Sequence, residues 1–284
     1  TMKHAAGIAV IFDFDETLAH DSTSSFLEHI GIDVKSFWQT QAGLVKQGFD
    51  PVPSYLQMMI EESQRRPPAE RITREKLKAW GRKVTFHAGV QQIFGRLRRQ
   101  VRNIDPRMTV EFYIISSGIG DILRNTRISH QFTDIFASDF SYNARGEIKA
   151  LKNIVSFTDK TRFIFQISKG LIGEKARQDP FAVNKKVPDS ELRFPLDQMI
   201  IVGDGYTDIP CFSLAQKNGG IAIGVYDRES RDRWGKAWGF LEDQRVKHLV
   251  AADYRKNSGL DDALSLAIDK IAKNVKLRSL TYQG

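Results

Sequence analysis

The chain has 284 residues and a formal net charge of +8, from 42 Lys and Arg against 34 Asp and Glu, with 41% apolar and 27% charged residues. These globular values suit one large domain or a core with a smaller appendage, and no uninterrupted apolar run approaches the length of a bilayer span. The single cysteine, Cys211, excludes an internal disulfide and a cysteine-ligated metal cluster, and it is expected as a buried structural thiol. The amino-terminal residues carry no basic region followed by a long apolar segment, so no targeting signal is read and a reducing cytoplasm is the expected compartment.

From the amino end, GIAVIFDF over residues 7–14 is a short apolar run ending in acids, the pattern of a strand covered on both faces. Between residues 20 and 86 the pattern changes. SSFLEHI, VKSFWQTQAGLVKQ, SYLQMMIEESQRR and REKLKAWGRKV are amphipathic helices, separated by the turn-like GID, FDPVP and RPPAERIT. GVQQIFGRLRRQV is the next helix, and residues 96–107 are the densest basic segment of the chain. Leu97, Val101 and Ile104 are spaced there as an apolar stripe, so its arginines read as a solvated helix face rather than a nucleic-acid patch.

FYIISSG over residues 112–118 is a second buried strand, and KTRFIFQISKGLI is a helix. Residues 174–196, rich in Pro, Lys and Asp, form an irregular stretch that is either a functional loop or a surface excursion. QMIIVGDG, GGIAIGVY and HLVAADY are three further strands, and LDDALSLAIDKIAKNV is the closing helix. Strands alternating with helices imply parallel βαβ units, hence a doubly wound, Rossmann-like α/β/α core. The expected organisation is a core of residues 1–19 and 87–284 with residues 20–86 inserted after the first strand as a helical cap. An insertion at that point stands above the carboxyl ends of the strands, where open α/β sheets bind their ligands.

The same edge collects the acids. Asp13 and Asp15 follow the first strand, and Asp204 and Asp208 lie in GDGYTD after a later one, so four carboxylates converge where all parallel strands end. Uncompensated they repel, and such hard oxygen donors suit Mg²⁺ together with a substrate phosphate. Capping of a following helix or turn explains Asp208 well and the Asp13 and Asp15 pair poorly. Ser116, Ser117 and Gly118 offer a hydroxyl and backbone N–H groups to a phosphate at the turn from strand to helix. Lys160 stands at a helix start, where the helix dipole does not favour a cation, so a bound anion would explain it; Lys152, Lys169 and Lys175 compete for that role.

FDFDETL, IISSG, DKTRF and GDGYTD, in that order, resemble the four motifs of haloacid dehalogenase (HAD) superfamily phosphohydrolases, with the phosphoserine phosphatase-like branch as the best match. The resemblance covers residues 7–208 and continues more weakly to the last helix. It implies an HAD-like phosphatase with Asp13 as the nucleophile that becomes an aspartyl phosphate. Asp15 is then the acid for the leaving oxygen and the base for water, with its backbone carbonyl on Mg²⁺. Thr17 orders the motif loop and joins Ser116, Ser117 and Gly118 in the phosphate-binding group. Lys160 neutralises the nucleophile and the transferring group, and Asp204 and Asp208 secure Mg²⁺.

The implied substrate is a small phosphorylated metabolite, with no membrane partner and no specific nucleic-acid binding expected. Phosphotransfer or mutase chemistry through the same intermediate is the alternative, and a weakly catalytic nucleic-acid- or protein-binding module is the rival from another class. Two features depart from the family pattern: Glu16 stands where Gly is frequent, and the separation of Lys160 from Asp204 is long. Phosphonate-cleaving members recruit a cap lysine, for which Lys35 and Lys46 are the candidates. His20, Asp21 and Tyr55 are possible substrate contacts, and His87 marks the return from cap to core.

Overall fold

In the computed structural model, which describes residues 7–228 and 248–281, the chain starts with β1 (Gly7–Phe12), every residue of which is buried. Residues 1–6, assigned above to the core, lie outside the described residues. Four helices follow: α1 (Ser22–His29), α2 (Val34–Lys46), α3 (Pro51–Arg65) and α4 (Arg74–Gly81). Each is opened by the side chain of its N-cap residue, in order Asp21, Asp33, Asp50 and Thr73, which accepts otherwise unpaired N–H groups of the first turn. The third helix starts earlier than the pattern suggests, because Pro51 takes the first helical position behind Asp50 instead of belonging to a turn.

The remaining elements are α5 (Val90–Ile104), β2 (Thr109–Ile119), α6 (Gly120–Leu123), β3 (Asp134–Tyr142), β4 (Ile148–Asn153) and α7 (Phe157–Ser168). Then come α8 (Gly173–Gln178), β5 (Met199–Gly203), α9 (Ile209–Lys217), β6 (Ile221–Tyr226), β7 (Leu249–Ala251) and α10 (Gly259–Thr281). The strands form one seven-stranded sheet in the order β4-β3-β2-β1-β5-β6-β7. All neighbouring pairs are parallel except β3 with β4.

That exception corrects the sequence reading, which contained neither β3 nor β4. β3 carries polar residues within its run, and β4 is an edge strand in which only Ile148 is buried, so neither shows the continuous apolar signature of the central strands. The available signal was the turn between them, where Gly146 has φ 75° and Asn143 folds back to accept the N–H groups of Arg145 and Glu147.

Successive residues of β1 feed the two faces of the sheet. Ile8, Val10 and Phe12 join an apolar cluster with Phe94 of α5 and Ile268 of α10; Ala9 and Ile11 join another with Phe163 of α7 and Phe212 of α9. The first cluster continues without a break through Leu18 into Phe26, Leu56, Met59 and Leu77 of the inserted helices. The insertion is also tied to the β3–β4 hairpin, where Ile72 C=O accepts the Ile148 N–H and Arg71 reaches Glu147 at 3.2 Å, and to α6, where Arg74 reaches Asp121 at 3.3 Å.

Three arginines of the basic segment have partners within the chain. Arg96 pairs with Asp261 at 2.8 Å, Arg107 with Asp105 at 3.0 Å, and Arg98 donates to Gln131. Residues 174–196 fold back along α7. Lys169 Nζ donates to the carbonyls of Val183 and Lys185, and the buried Phe194 docks against Tyr113 beside Gly7, the first residue of β1. This excursion therefore closes at the amino end of β1, on the opposite edge from the acids.

Candidate active site

β1 lies between β2 and β5, where the direction of strand addition reverses, so a crevice opens beyond its carboxyl end. Asp13 extends the strand by donating its N–H to Val202 C=O at 2.9 Å. The chain then wraps around the Phe14 carbonyl, which accepts N–H groups from Thr17, Leu18 and Ala19, while the buried side chains of Phe14 and Leu18 anchor the loop. Glu16 holds φ 61°, a conformation that favours glycine; its carboxylate accepts the Asp21 N–H at 3.0 Å.

Lys160 lies in the first turn of α7 with only 1% of its surface exposed, and its ammonium joins two motifs. It donates to Asp13 Oδ2 at 2.8 Å, to Asp208 Oδ1 at 2.7 Å and to Thr207 Oγ1 at 3.1 Å. Burial by itself pushes the ammonium down, but the carboxylates of Asp13 and Asp208 outweigh it and hold Lys160 above its ordinary range. The three other lysines go elsewhere: Lys169 binds loop carbonyls, and Lys152 and Lys175 are exposed.

Carboxylate oxygens of Asp13, Asp204 and Asp208 lie within 4.8 Å of one another. One ammonium stands against three acids. Burial and then the proximity of Asp13 raise Asp204 well above the usual carboxylate range and bring Asp208 to about 7. An uncompensated pair of negative charges on hard oxygen donors is the complement of a divalent cation, so the residues present fit one. Thr17, placed above with the phosphate-binding group, is wholly buried; its hydroxyl donates to Asp204 Oδ1 at 3.2 Å and its carbonyl accepts the Tyr254 hydroxyl. Its position supports the acid cluster and does not line the cleft.

Asp15 stands apart from the three acids. Its Oδ1 accepts the Ser22 N–H at 2.7 Å, and burial followed by the charge of Asp21 raises its carboxyl to about 8. A carboxyl group protonated at neutral pH is a proton donor in waiting. Opposite it, Gly118 N–H meets Ser116 Oγ at 3.0 Å, and a Cβ on Gly118 would fall 2.8 Å from Asp15 Oδ2. Gly203 is similarly constrained, since a Cβ there would sit 2.4 Å from Asp208 Oδ2. Both glycines permit a backbone to approach a catalytic-type carboxylate.

Asp13, Asp15 and Asp204 line a cleft of about 390 Å³ that also takes in Ser116, Ser117 and Gly118. The insertion supplies the facing wall through Asp21, Trp38, Gln41 and Tyr55. Tyr55 crosses from α3 to the core and donates its hydroxyl to Ser117 C=O at 2.6 Å. His20, by contrast, is half exposed and faces Asp227 and the ring of His87, which marks the turn back into the core. Lys35 and Lys46 are exposed and do not line the cleft. A larger groove of about 740 Å³ between α7 and residues 180–184 lacks convergent acids.

Sequence reasoning missed Trp38, Phe157, Tyr206 and Thr207 as cleft residues. Thr207 and Tyr206 lie inside GDGYTD and Phe157 beside DKTRF, so proximity to a motif was a usable signal; for Trp38 there was none beyond its place in an amphipathic helix.

No family model matches the chain. An uncharacterized protein of Borreliella burgdorferi is 26% identical over 279 residues, spanning 89% of this chain and 93% of that one. Among solved structures, a HAD family hydrolase of Salmonella enterica serovar Typhi superposes with a TM-score of 0.56 at 13% identity, covering 87% of this chain and 67% of that one. A phospho-aspartyl intermediate analogue of phosphoserine phosphatase gives a TM-score of 0.53 at 14% identity, with 92% and 98% covered. A probable phosphoserine phosphatase from Vibrio cholerae gives 0.53 at 9% identity, with 98% and 69% covered. The fold is that of the HAD hydrolases. The phosphoserine phosphatases are similar in fold, and in this chain four helices are inserted after the first strand.

Proposed function

We propose that the chain is a Mg²⁺-dependent phosphomonoesterase that hydrolyses a small phosphorylated metabolite through an aspartyl phosphate on Asp13. The observation that carries this reading is the Lys160 ammonium held between Asp13 and Asp208, with a separately raised Asp15 across the same cleft. One of the solved structures of similar fold is itself a phospho-aspartyl intermediate analogue of a phosphoserine phosphatase.

Asp13 attacks phosphorus with a carboxylate oxygen, and the bond from phosphorus to the ester oxygen breaks. Asp15 gives its proton to the departing alkoxide. A water molecule then attacks phosphorus; Asp15 takes back a proton, the bond to Asp13 breaks, and inorganic phosphate leaves. Lys160 holds Asp13 in place and offsets charge on the transferring group, and the backbone around Ser116 to Gly118 cradles its oxygens. Asp13, Asp204 and Asp208 would hold Mg²⁺, with the Asp15 carbonyl, and the bound ion supplies neutralisation of the phosphoryl charge. Residues 20–86 act as the cap that excludes bulk water.

Asp15→Asn separates the two steps. With an aryl phosphate whose phenol leaves without a proton, this variant gives a stoichiometric burst of phenol and then a slow phase, since Asn cannot accept a proton from water. Rapid-mixing absorbance reads the burst and mass spectrometry locates the phosphoryl group. A phosphoryl group on any residue other than Asp13 overturns the assignment.

A further inference from the structure

Lys160 donates to two of the three clustered acids, Asp13 and Asp208; the third, Asp204, takes the Thr17 hydroxyl on its Oδ1 at 3.2 Å. Thr17 sits in the loop after β1, and a hydroxyl on a loop aims a carboxylate only as well as the loop itself is fixed.

That fixing comes from the other end of the chain. Tyr254, in the connection between β7 and α10, donates its hydroxyl to Thr17 C=O at 2.8 Å. The side chain is wholly buried, and its ring lies 6.4 Å from that of Phe12 in the apolar cluster that joins β1 to α10. A phenol in apolar surroundings needs a partner, and here the partner is the backbone of the loop that carries Asp13 and Asp15. Burial and then the charge of Asp204 hold this phenol well above its ordinary range, so the hydroxyl stays a donor at neutral pH.

Tyr254 is itself clamped through its backbone. Its N–H donates to Ala88 C=O at 2.8 Å, and its C=O accepts from Arg96 of α5, which also pairs with Asp261 of α10. Gly89, at φ 83°, approaches so closely that a Cβ there would strike the Tyr254 carbonyl carbon. Arg96, read in the sequence as part of a solvated basic face, therefore anchors a path that runs through Tyr254 and Thr17 to Asp204.

We propose that Tyr254 is a positioning residue for the cation site: by holding Thr17 it aims Asp204, and so sets the affinity for Mg²⁺ from beyond the four motifs. The proposal rests on the Mg²⁺ reading above and extends it to a residue that no motif contains. Groups that orient a metal ligand from behind carry about 10-fold to 100-fold of metal affinity.

The test is calorimetric titration of Mg²⁺ into the full chain without substrate, at a temperature where circular dichroism shows each variant folded. Tyr254→Phe is expected to weaken Mg²⁺ binding about 10-fold, and Thr17→Val, which cuts the same path one step later, by a similar factor. Thr17→Ser keeps the hydroxyl and should stay within about twofold of the unmodified chain. In the Thr17→Val background, Tyr254→Phe should add less than about twofold, because the path is already broken. A merely structural role is separated by Ile268→Val, which loosens the same apolar cluster without touching the phenol: it should lower Tm and leave Mg²⁺ affinity unchanged.

Tight binding retained in Tyr254→Phe overturns the proposal and leaves the Mg²⁺ reading intact. A full 10-fold loss repeated in the Thr17→Val background also overturns it, since the phenol would then act by another route. Should Tyr254→Phe not fold, Arg96→Met frees the Tyr254 carbonyl instead; about a threefold weakening supports the path, and unchanged affinity overturns it. Failure of the unmodified chain to bind Mg²⁺ overturns the metal reading and the proposal with it.

Discussion

The floor and the facing wall of the cleft are built by opposite means. Floor residues are delivered by the ends of parallel strands, where Asp13 still belongs to the sheet through Val202 C=O and Lys160 is locked between two carboxylates. Wall residues come from the N-cap of α1 and from α2 and α3; Tyr55 donates across to Ser117 C=O, and the insertion is tethered at the far side by Arg71 to Glu147 of the β3–β4 hairpin and by Arg74 to Asp121 of α6. Charge is concentrated and buried in the first; rings and a capping carboxylate fill the second. Such a division lets the strand-end groups stay preorganised while the facing surface varies with the packing of helices.

The sharpest way to break the comparison is in the floor. Asp13→Asn should lower turnover on the order of 10⁴-fold to 10⁶-fold, as expected when a nucleophile is lost, and should show no burst with any ester. Steady-state and rapid-mixing assays read both. Lys160→Met is expected next. Turnover falls about 10²-fold to 10³-fold, and denaturant unfolding shows a loss of roughly 3–5 kcal/mol because buried acids lose their ammonium.

The metal contribution is smaller and shows in stability. Saturating Mg²⁺, at about 100 times its dissociation constant, should add about 2.7 kcal/mol and raise Tm on the order of 5 °C. Asp204→Asn should lose most of that shift, and further Mg²⁺ should recover part of its rate; a full shift in this variant removes Asp204 from the metal site. At the wall the expected effect is least. Tyr55→Phe deletes one hydrogen bond between wall and floor, worth about 1 kcal/mol, so KM rises about fivefold while kcat changes less. An equal fall in kcat would mean that Tyr55 also organises the floor.

The site was more legible than the sheet. Asp13, Asp15, Asp204 and Asp208 announce themselves because each directly follows or lies near the end of a run such as GIAVIF or MIIVG, and a buried parallel strand has to be apolar throughout. The helices of the insertion were equally visible, since capping side chains and apolar periodicity are local properties. β3 and β4 were not, because an antiparallel edge pair with polar positions looks like an exposed segment until its partner is known.

Within the site the division is the same. Motif order along the chain was enough to nominate Lys160, but its three lysine competitors were eliminated only by the packing of α7 against β1 and the GDGYTD turn. Thr17 was assigned to phosphate by its motif, and burial moved it behind Asp204.

What the amino-acid sequence by itself determined was the α/β core, the helical insertion and the gathering of Asp13, Asp15, Asp204 and Asp208 at one sheet edge. These depend on strand and helix periodicity and on short spacings, which are one-dimensional properties of the chain. The tertiary structure alone decided that Trp38, Tyr55, Phe157 and Tyr206 share a cleft with those acids. Helix faces separated by more than a hundred residues meet according to packing angles and side-chain volumes, and no local pattern encodes which rings that packing turns toward the substrate.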